Sequence, residues 1–404
     1  PCICYNIAMT VDIYQKALDL HKKHHGKIAI IAVVPIKNKA DLSLAYTPGV
    51  AEPSRQIAKD PKLSFDLTWR GRAVAVISDG SAVLGLGNIG PEAALPVMEG
   101  KALLLKQFGG VDAVPIVINT QNPLEIIAFV KNIAPSFAGI NLEDISAPRC
   151  FQIEEELQNI GIPVFHDDQH GTAIVVSAAL QNAAKVVGKP YSLLHVVIVG
   201  AGSAGLAVAR MLKGLDCTSG VCRLRPNSPS VADVIVVDKI GALLVNRDSQ
   251  NIYKQAVAGV TNKEKKSGPL AQVIKGADVV IGVSGPNAIS PEMIAAMAKN
   301  PIVFAMANPT PEIMPDAAIK AGAAIVATGR SDFPNQINNV LAFPGIFRAV
   351  IDGRLKQITI EMKEAAAQAL ASLLPHPTKD NIIPDAFYPK LAEKIAEAVL
   401  GAKV

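Results

Sequence analysis

The sequence predicts an α/β protein: an N-terminal α/β domain, then a doubly wound parallel sheet, then a helical tail. Three observations carry that prediction. Apolar runs of strand length alternate with helix-length segments through most of the 404 residues. The rhythm restarts after a long helical stretch, HGTAIVVSAALQNAAKVVG. Finally, GAGSAG (200–205) follows an apolar strand and opens a helix, the context a dinucleotide-binding turn requires. A chain this long exceeds one compact core, and boundaries are expected near 1–165, 166–345 and 346–404.

In order, TVDIYQKALDLHKKH reads as a first helix, and the eight residues before it, PCICYNIA, are given no functional weight. DLSLAYTPGVAEPSRQIAKDP is a turn-rich loop opening a short helix. RGRAVAVISDG is a strand with a sharp stop, and GSAVLGLGNIG a second short strand and loop. PEAALPVMEGKALLLKQFGG is a helix interrupted by proline. DAVPIVIN, AGINLEDI and IPVFHDD are strands, with NPLEIIAFVKNIAPSF and FQIEEELQNIG as helices between them. In the second half HVVIV, ADVIVVD, GADVVIGV, IVFAMANP and AIVATG are apolar enough for a parallel sheet covered on both faces. IEMKEAAAQALASLL and FYPKLAEKIAEAVLGAK form the helical tail.

Composition narrows the function classes. Half the residues are apolar, 18% are charged and the net charge is only +4. Basic clusters such as Lys22–His25 read as solvated faces, so no nucleic-acid partner is expected. The run IAIIAVVPI is too short for a membrane span, and no signal-peptide pattern is visible. Five cysteines without zinc-like spacing point to a reducing, cytoplasmic compartment. Cys217 and Cys222 lie in a polar insertion, 216–229, where pairing would be an accident of the loop.

Two segments share the G-x-G-x-x-G spacing. In GAGSAG, Gly200, Gly202, Ser203, Ala204 and Gly205 follow HVVIV, and Asp238 closes the next strand, where it suits ribose hydroxyls. Ser284, after a later strand, is expected in the same cleft. GLGNIG (85–90) has a weak preceding strand and an immediate Pro91. It reads as a tight loop bringing backbone close to something. Asp238 favours NAD over NADP, although Lys239 and Arg247 counter it.

Carboxylates cluster at two strand ends. Glu143 and Asp144 close one strand; Asp167 and Asp168 sit at a strand-to-helix junction. On spacing alone they are either helix caps or hard-oxygen ligands suited to Mg²⁺ or Mn²⁺. The zinc-protease spacing His166 to His170 is rejected, because His166 belongs to the strand and Gly171 is a poor helix-interior residue. Lys101 lies in apolar VMEGKALLL. It is either a snorkelling lysine or one whose pKa burial lowers enough to make it a base. Tyr46 is a loop tyrosine that packs or a functional group.

Together, SLAYTPGVAEP, LGLGNIGPEAALPVMEGKA, NLEDI, HDDQHGTA, GAGSAG, FAMANPTPE and GRSDFPNQINNVLAFPGIFR resemble the malic enzymes in their short microbial form, from about residue 10 to 400. The resemblance implies a malic-type substrate domain followed by a Rossmann-type NAD(P)-binding domain. It implies divalent-metal-dependent oxidative decarboxylation of L-malate to pyruvate and CO₂, with NAD or NADP reduced. By motif, Tyr46 matches the general acid, Lys101 the general base and Asp167 its partner. Glu143, Asp144 and Asp168 match the metal ligands, and Asn308 and Asn339 match residues holding the substrate carboxylate and the nicotinamide region. A homodimer is implied, with the N-terminal segment contributing to the partner's cleft. Ala82 departs from the arginine of the large-subunit branch, so the amides of GLGNIG are expected to help hold a carboxylate. The alternatives are a malolactic enzyme, an amino-acid dehydrogenase, and a silent NAD-binding module lacking a catalytic group. None of those groups is missing.

Overall fold

The computed structural model describes residues 2–402, with side chains from residue 13 onward. The chain opens with helix α1 (Cys2–His24) and a stretch without regular structure, followed by α2 (Lys39–Ala45), α3 (Ala51–Lys59) and α4 (Ser64–Leu67). Asn38 caps α2 by accepting the Asp41 amide at 2.9 Å.

A four-stranded parallel sheet follows. Its elements are β1 (Ala73–Ser78), α5 (Pro91–Gly109), β2 (Asp112–Val117), α6 (Pro123–Ile133), β3 (Gly139–Leu142), α7 (Arg149–Leu157) and β4 (Val164–His166). The strand order is β2-β1-β3-β4, all parallel. Every residue of β1, AVAVIS, is buried, as an inner parallel strand covered on both faces demands.

The long helix α8 (Asp167–Val187) leaves β4 directly and links this sheet to the next. The second unit contains β5 (His195–Val199), α9 (Ser203–Lys213), β6 (Leu215–Thr218), β7 (Val221–Leu224), β8 (Asp233–Asp238), β9 (Gly241–Ala242), α10 (Ile252–Ala258) and α11 (Leu270–Val273). It continues with β10 (Val279–Gly282), α12 (Pro291–Ala295), β11 (Ile302–Ala305), α13 (Pro315–Lys320) and β12 (Ile325–Thr328). The sheet runs β12-β11-β10-β5-β8-β9, parallel except for β9. The chain leaves β5 for β8 on one side and later returns to β10 on the other. That is the topological switch point where doubly wound sheets open a crevice at their carboxyl ends. Helices α14 (Phe343–Gly353), α15 (Ile360–Ser372) and α16 (Leu391–Gly401) complete the tail; α14 packs on α5 and α15 on α8, so the tail ties both units together.

Three local expectations change. GSAVLGL is not a strand: Leu84 and Gly87 take positive φ, and the chain folds into a 3-10 turn at Leu84–Leu86. Pro96 does not interrupt α5, which runs through it; the carbonyl it leaves free, on Glu92, lies on an exposed residue. The insertion is a β-ribbon rather than a polar loop. β6 and β7 pair antiparallel around Ser219 and Gly220, both at positive φ, the signature of a two-residue I′ turn. Cys217 and Cys222 are directly opposed across the ribbon and form a disulfide, so their pairing is set by register and not by chance. The cysteine argument for a reducing compartment falls with it. Among the described side chains, Cys150 is the free cysteine, and it is buried. Among the described residues no helix is long and apolar enough to cross a membrane.

Candidate active site

The site is assembled from the ends of two strands and the inner face of one helix. β3 stops at Leu142, and Asp144 takes a positive φ of 55°. That turn is what lets the neighbours Glu143 and Asp144, which would point to opposite faces within a strand, serve one place. The adjacent strand β4 gives way at once to α8, whose first turn carries Asp167 and Asp168. The Asp144 amide donates to Asp168 Oδ2 at 2.8 Å and locks the two strand ends together. One carboxylate oxygen from each of Glu143, Asp144 and Asp168 lies within 4.8 Å of the others.

Lys101 arrives from α5. It sits on the buried stripe Ala94, Met98, Lys101, Ala102 and Leu105, which carries its ammonium inward. Nζ pairs with Asp167 Oδ2, lies 3.0 Å from Glu143 Oε1 and stands 4.3 Å from the Phe343 ring centroid. Burial opposes the charge on Lys101, but Asp167, Glu143 and Asp168 outweigh it and raise the pKa. The expectation that burial decides the lysine's pKa is therefore corrected: burial pushes it down as expected, but the neighbouring carboxylates reverse the net direction. Burial likewise raises Glu143, Asp144 and Asp168; Asp168 adds to the rise of the first two, and Asp167 to that of Asp168. Asp144 Oδ2 is buried without a hydrogen-bond partner. Three crowded hard oxygens, one of them orphaned, fit a hard divalent cation better than a set of helix caps.

Lys101, Glu143, Asp144 and Asp168 line a cavity of about 600 Å³ together with Ser203, Ala204, Ser284, Asn308 and Asn339. The cavity opens at the switch point, beside the glycine turn. Gly200 has a φ of +119° and makes the sharp turn out of β5. Gly202 has nothing within 4 Å of where a Cβ would stand, leaving its backbone open to a ligand. Gly205 faces the carbonyl of Gly200, where no side chain fits between helix and strand. These are the three roles the fingerprint assigns to its glycines, and the N-terminus of α9 points at the opening.

Asp238 is not part of this cavity wall. It ends β8 as expected, but Oδ2 accepts from Arg247 at 2.5 Å and Lys254 at 2.8 Å, and Oδ1 from the Ile240 amide at 3.0 Å. A carboxylate this occupied no longer argues for NAD over NADP. Tyr46 is also outside the cavity: it caps the C-terminus of α2 and is 65% exposed. Of GLGNIG, Gly85 and Leu86 line the cavity, and Gly85 is required because a Cβ there would run into the backbone carbonyl of Asn308. Among the described residues Lys101 is the one cation in the wall, and no arginine takes the place vacated at Ala82.

Sequence reasoning missed Glu312 and Phe343. Glu312 is fully buried and accepts the Ser284 amide at 2.8 Å and the Ala307 amide at 3.0 Å. It thus ties the loops carrying Ser284 and Asn308. Its signal was the carboxylate in PTPE, a residue type that rarely goes fully inside unless partnered.

Residues 169–403 match the malic enzyme NAD-binding domain, and residues 25–158 match the malic enzyme N-terminal domain. The chain belongs to the malic enzyme family. The bifunctional malic/malolactic enzyme of Bacillus subtilis is 51% identical over 97% of this chain and 93% of its own length. The NADP-dependent malic enzyme of Halomonas elongata is 44% identical over 96% and 93%. Among solved structures, the NAD-dependent malic enzyme of Thermotoga maritima superposes with a TM-score of 0.89 at 46% identity, over 95% of this chain and 99% of that one. The α/β architecture and the dinucleotide-binding unit are thus those of malic enzymes.

Proposed function

We infer that this chain oxidatively decarboxylates L-malate to pyruvate and CO₂ while reducing NAD or NADP. The observation that carries the reading is the junction of a buried Lys101–Asp167 pair with a three-carboxylate cluster, in one cavity beside a dinucleotide turn. In its neutral form Lys101 takes the proton from the malate C2 hydroxyl, and Asp167 holds Nζ in place for it. Loss of the C2 hydride then completes the oxidation to oxaloacetate; NAD or NADP, held at the Gly200–Gly205 turn, would supply the hydride acceptor. Glu143, Asp144 and Asp168 would hold a divalent cation, which would supply Lewis-acid charge for the developing negative charge on the substrate oxygen. As CO₂ leaves, the C–C electron pair passes into the enolate, whose C3 takes a proton from Tyr46 and becomes pyruvate. Asn308, Asn339 and the amides of residues 85–90 meet the substrate carboxylates.

Tyr46 does not line the catalytic cavity of its own chain, and a homodimer accounts for this: the partner subunit's Tyr46 completes each site. What supports a second copy is the exposed apolar run before α2, where Ile30 is 88% and Ile31 77% accessible, continued by Leu42 and Leu44. A cytoplasmic location belongs to the same reading, because malate and NAD(P) are soluble there.

The test is NAD(P)H formation from L-malate and Mn²⁺, with NAD and NADP in separate runs. No reduction with either cofactor, from folded protein, overturns the reading. A second outcome, lactate without net NADH, is worth measuring because the Bacillus subtilis relative carries both activities in its name. Product analysis separates the two.

A further inference from the structure

Glu312 lies behind the catalytic cavity and does not line it. It is 0% exposed, and the groups that act on it most are three backbone amides and the Ser284 hydroxyl, with no lysine, arginine or histidine among them. A carboxylate taken this far out of water is costly unless its oxygens find donors. Here Oε1 accepts the Ser284 amide at 2.8 Å and Oε2 the Ala307 amide at 3.0 Å. The two amides belong to different elements: Ser284 follows β10 and Ala307 follows β11, neighbours in the parallel sheet.

Room for the carboxylate comes from Gly282, the last residue of β10. A Cβ on Gly282 would stand 2.4 Å from Glu312 Cδ and 2.8 Å from Oε1. Glycine in a strand marks a close approach, and the group that approaches is Glu312. The backbone of its segment is held separately. The Asn287 amide donates to the Pro311 carbonyl at 3.2 Å, and the Ile289 amide to the Glu312 carbonyl at 3.1 Å. The side chain is thus free of that task and spans two loops. Each loop runs into the cavity wall, one through Ser284 and Gly285, the other through Ala307 and Asn308.

We propose that Glu312 is a positioning residue for the catalytic cavity. By bridging the Ser284 and Ala307 amides, one carboxylate fixes the spacing between the loop that carries Ser284 and the loop that carries Asn308. The binding of dinucleotide and malate depends on that spacing. The ligand roles of Ser284 and Asn308 rest on the catalytic reading above, whereas the bridge does not.

The experiment compares the full wild-type chain with Glu312→Gln and Glu312→Asp. Gln keeps the volume but turns an Nε2 donor on one of the two amide donors, so one loop loses its tie. Asp keeps the charge and is one methylene too short to span both amides. The backbone bonds at Pro311 and Glu312 remain, so the variants are expected to fold, which thermal unfolding checks. Fluorescence titration with NADH and with NADPH reads cofactor affinity without turnover. Electron paramagnetic resonance reads Mn²⁺ affinity, and initial rates give KM for malate. In Glu312→Gln the cofactor dissociation constant, KM for malate, or both are expected to rise about tenfold or more, the loss of one charge-assisted bond. Mn²⁺ affinity is expected to stay within about twofold, and kcat to change less than KM. Glu312→Asp is expected to show the same pattern and serves if Glu312→Gln does not fold. Cofactor affinity and KM for malate both unchanged in a folded variant overturn the proposal. So does an equal loss of Mn²⁺ affinity, the mark of a general loosening. Wild type that binds NADH yet does not oxidise malate overturns the catalytic reading alone, since the dinucleotide titration still tests the bridge.

Discussion

Gly171→Ala offers a severe test of the lysine–aspartate pair, because ordinary helix energetics predict the opposite of what the site predicts. Gly171 lies one turn after Asp167 in α8. In a helix interior, replacing glycine with alanine normally stabilises by about 0.5–1 kcal/mol. Here the new methyl would overlap Asp167 Oδ1, stand 2.9 Å from Asp167 Cγ and sit 3.1 Å from Asn339 Cβ. Asp167 is fully buried, so its carboxylate has to rotate, and Oδ2 turns away from Lys101 as Oδ1 yields. The contact at risk is a charge-assisted hydrogen bond of about 1.5–3 kcal/mol. If it positions Lys101 for proton transfer, kcat falls by roughly 10- to 150-fold. Steady-state NAD(P)H formation measures the fall, cofactor fluorescence titration reports an intact dinucleotide site, and thermal unfolding reports an intact fold. Asp167→Asn keeps the shape and drops the charge, and is expected to lose turnover comparably. A folded Gly171→Ala enzyme with wild-type kcat would refute the claim that Asp167 holds the base.

Lys101→Ala is expected to abolish malate oxidation while leaving NAD(P) affinity within about twofold, read by fluorescence titration; retained turnover removes the lysine from its role. Asp144→Asn takes one charge from the three-carboxylate cluster, and Mn²⁺ affinity followed by electron paramagnetic resonance should fall at least tenfold. The Asp238 carboxyl is pulled down to about 2, against burial, by Arg247 and Lys254. Its stabilising pairing is thus complete above the ordinary value of 3.8 and is lost only as pH falls through about 2. The stability gap between wild type and Asp238→Asn should stay flat from pH 5 to 9 and shrink below about pH 4, which thermal unfolding across pH would reveal. Peptide mapping without reductant should recover Cys217 linked to Cys222.

The sheets were legible because parallel strands announce themselves: AVAVIS, HVVIV and DVIVVD are apolar end to end, since both faces are covered. The carboxylate cluster was legible as residue types at strand ends, but the sequence could not say that Asp144 adopts positive φ, which is the step that makes two neighbours converge. The charge state of Lys101 was misread for a related reason. An apolar stretch around a lysine speaks only of burial, whereas Asp167 and Glu143, which raise the pKa, come from elements 66 and 42 residues away (167 − 101 and 143 − 101). The ribbon was missed although Ser219-Gly220 carries the turn signal, because its flanking residues are polar and do not alternate visibly. Tyr46 was legible by motif alone; in the structure it is 65% exposed and lies outside the cavity, next to the exposed Leu42 and Leu44 of α2.

The two glycine motifs separate by what their α-carbons face, a property that spacing does not encode. Each precedes a helix, α5 after Gly90 and α9 beginning at Ser203. In GAGSAG the middle glycine opens on empty space at the helix N-terminus, so a pyrophosphate can approach backbone amides there. In GLGNIG the first glycine is pressed against the Asn308 carbonyl across the cleft, so its missing side chain serves contact between the substrate unit and the dinucleotide unit. The remaining glycines, Gly87 and Gly90, take positive φ and have nothing within 4 Å of a Cβ. They need glycine for backbone conformation. Gly85→Ala should therefore disturb the joint between the units and raise KM for malate and cofactor together, whereas loss of a pure cofactor turn would raise the cofactor's alone. A Gly85→Ala enzyme with only its cofactor KM changed would return GLGNIG to the role of a nucleotide loop.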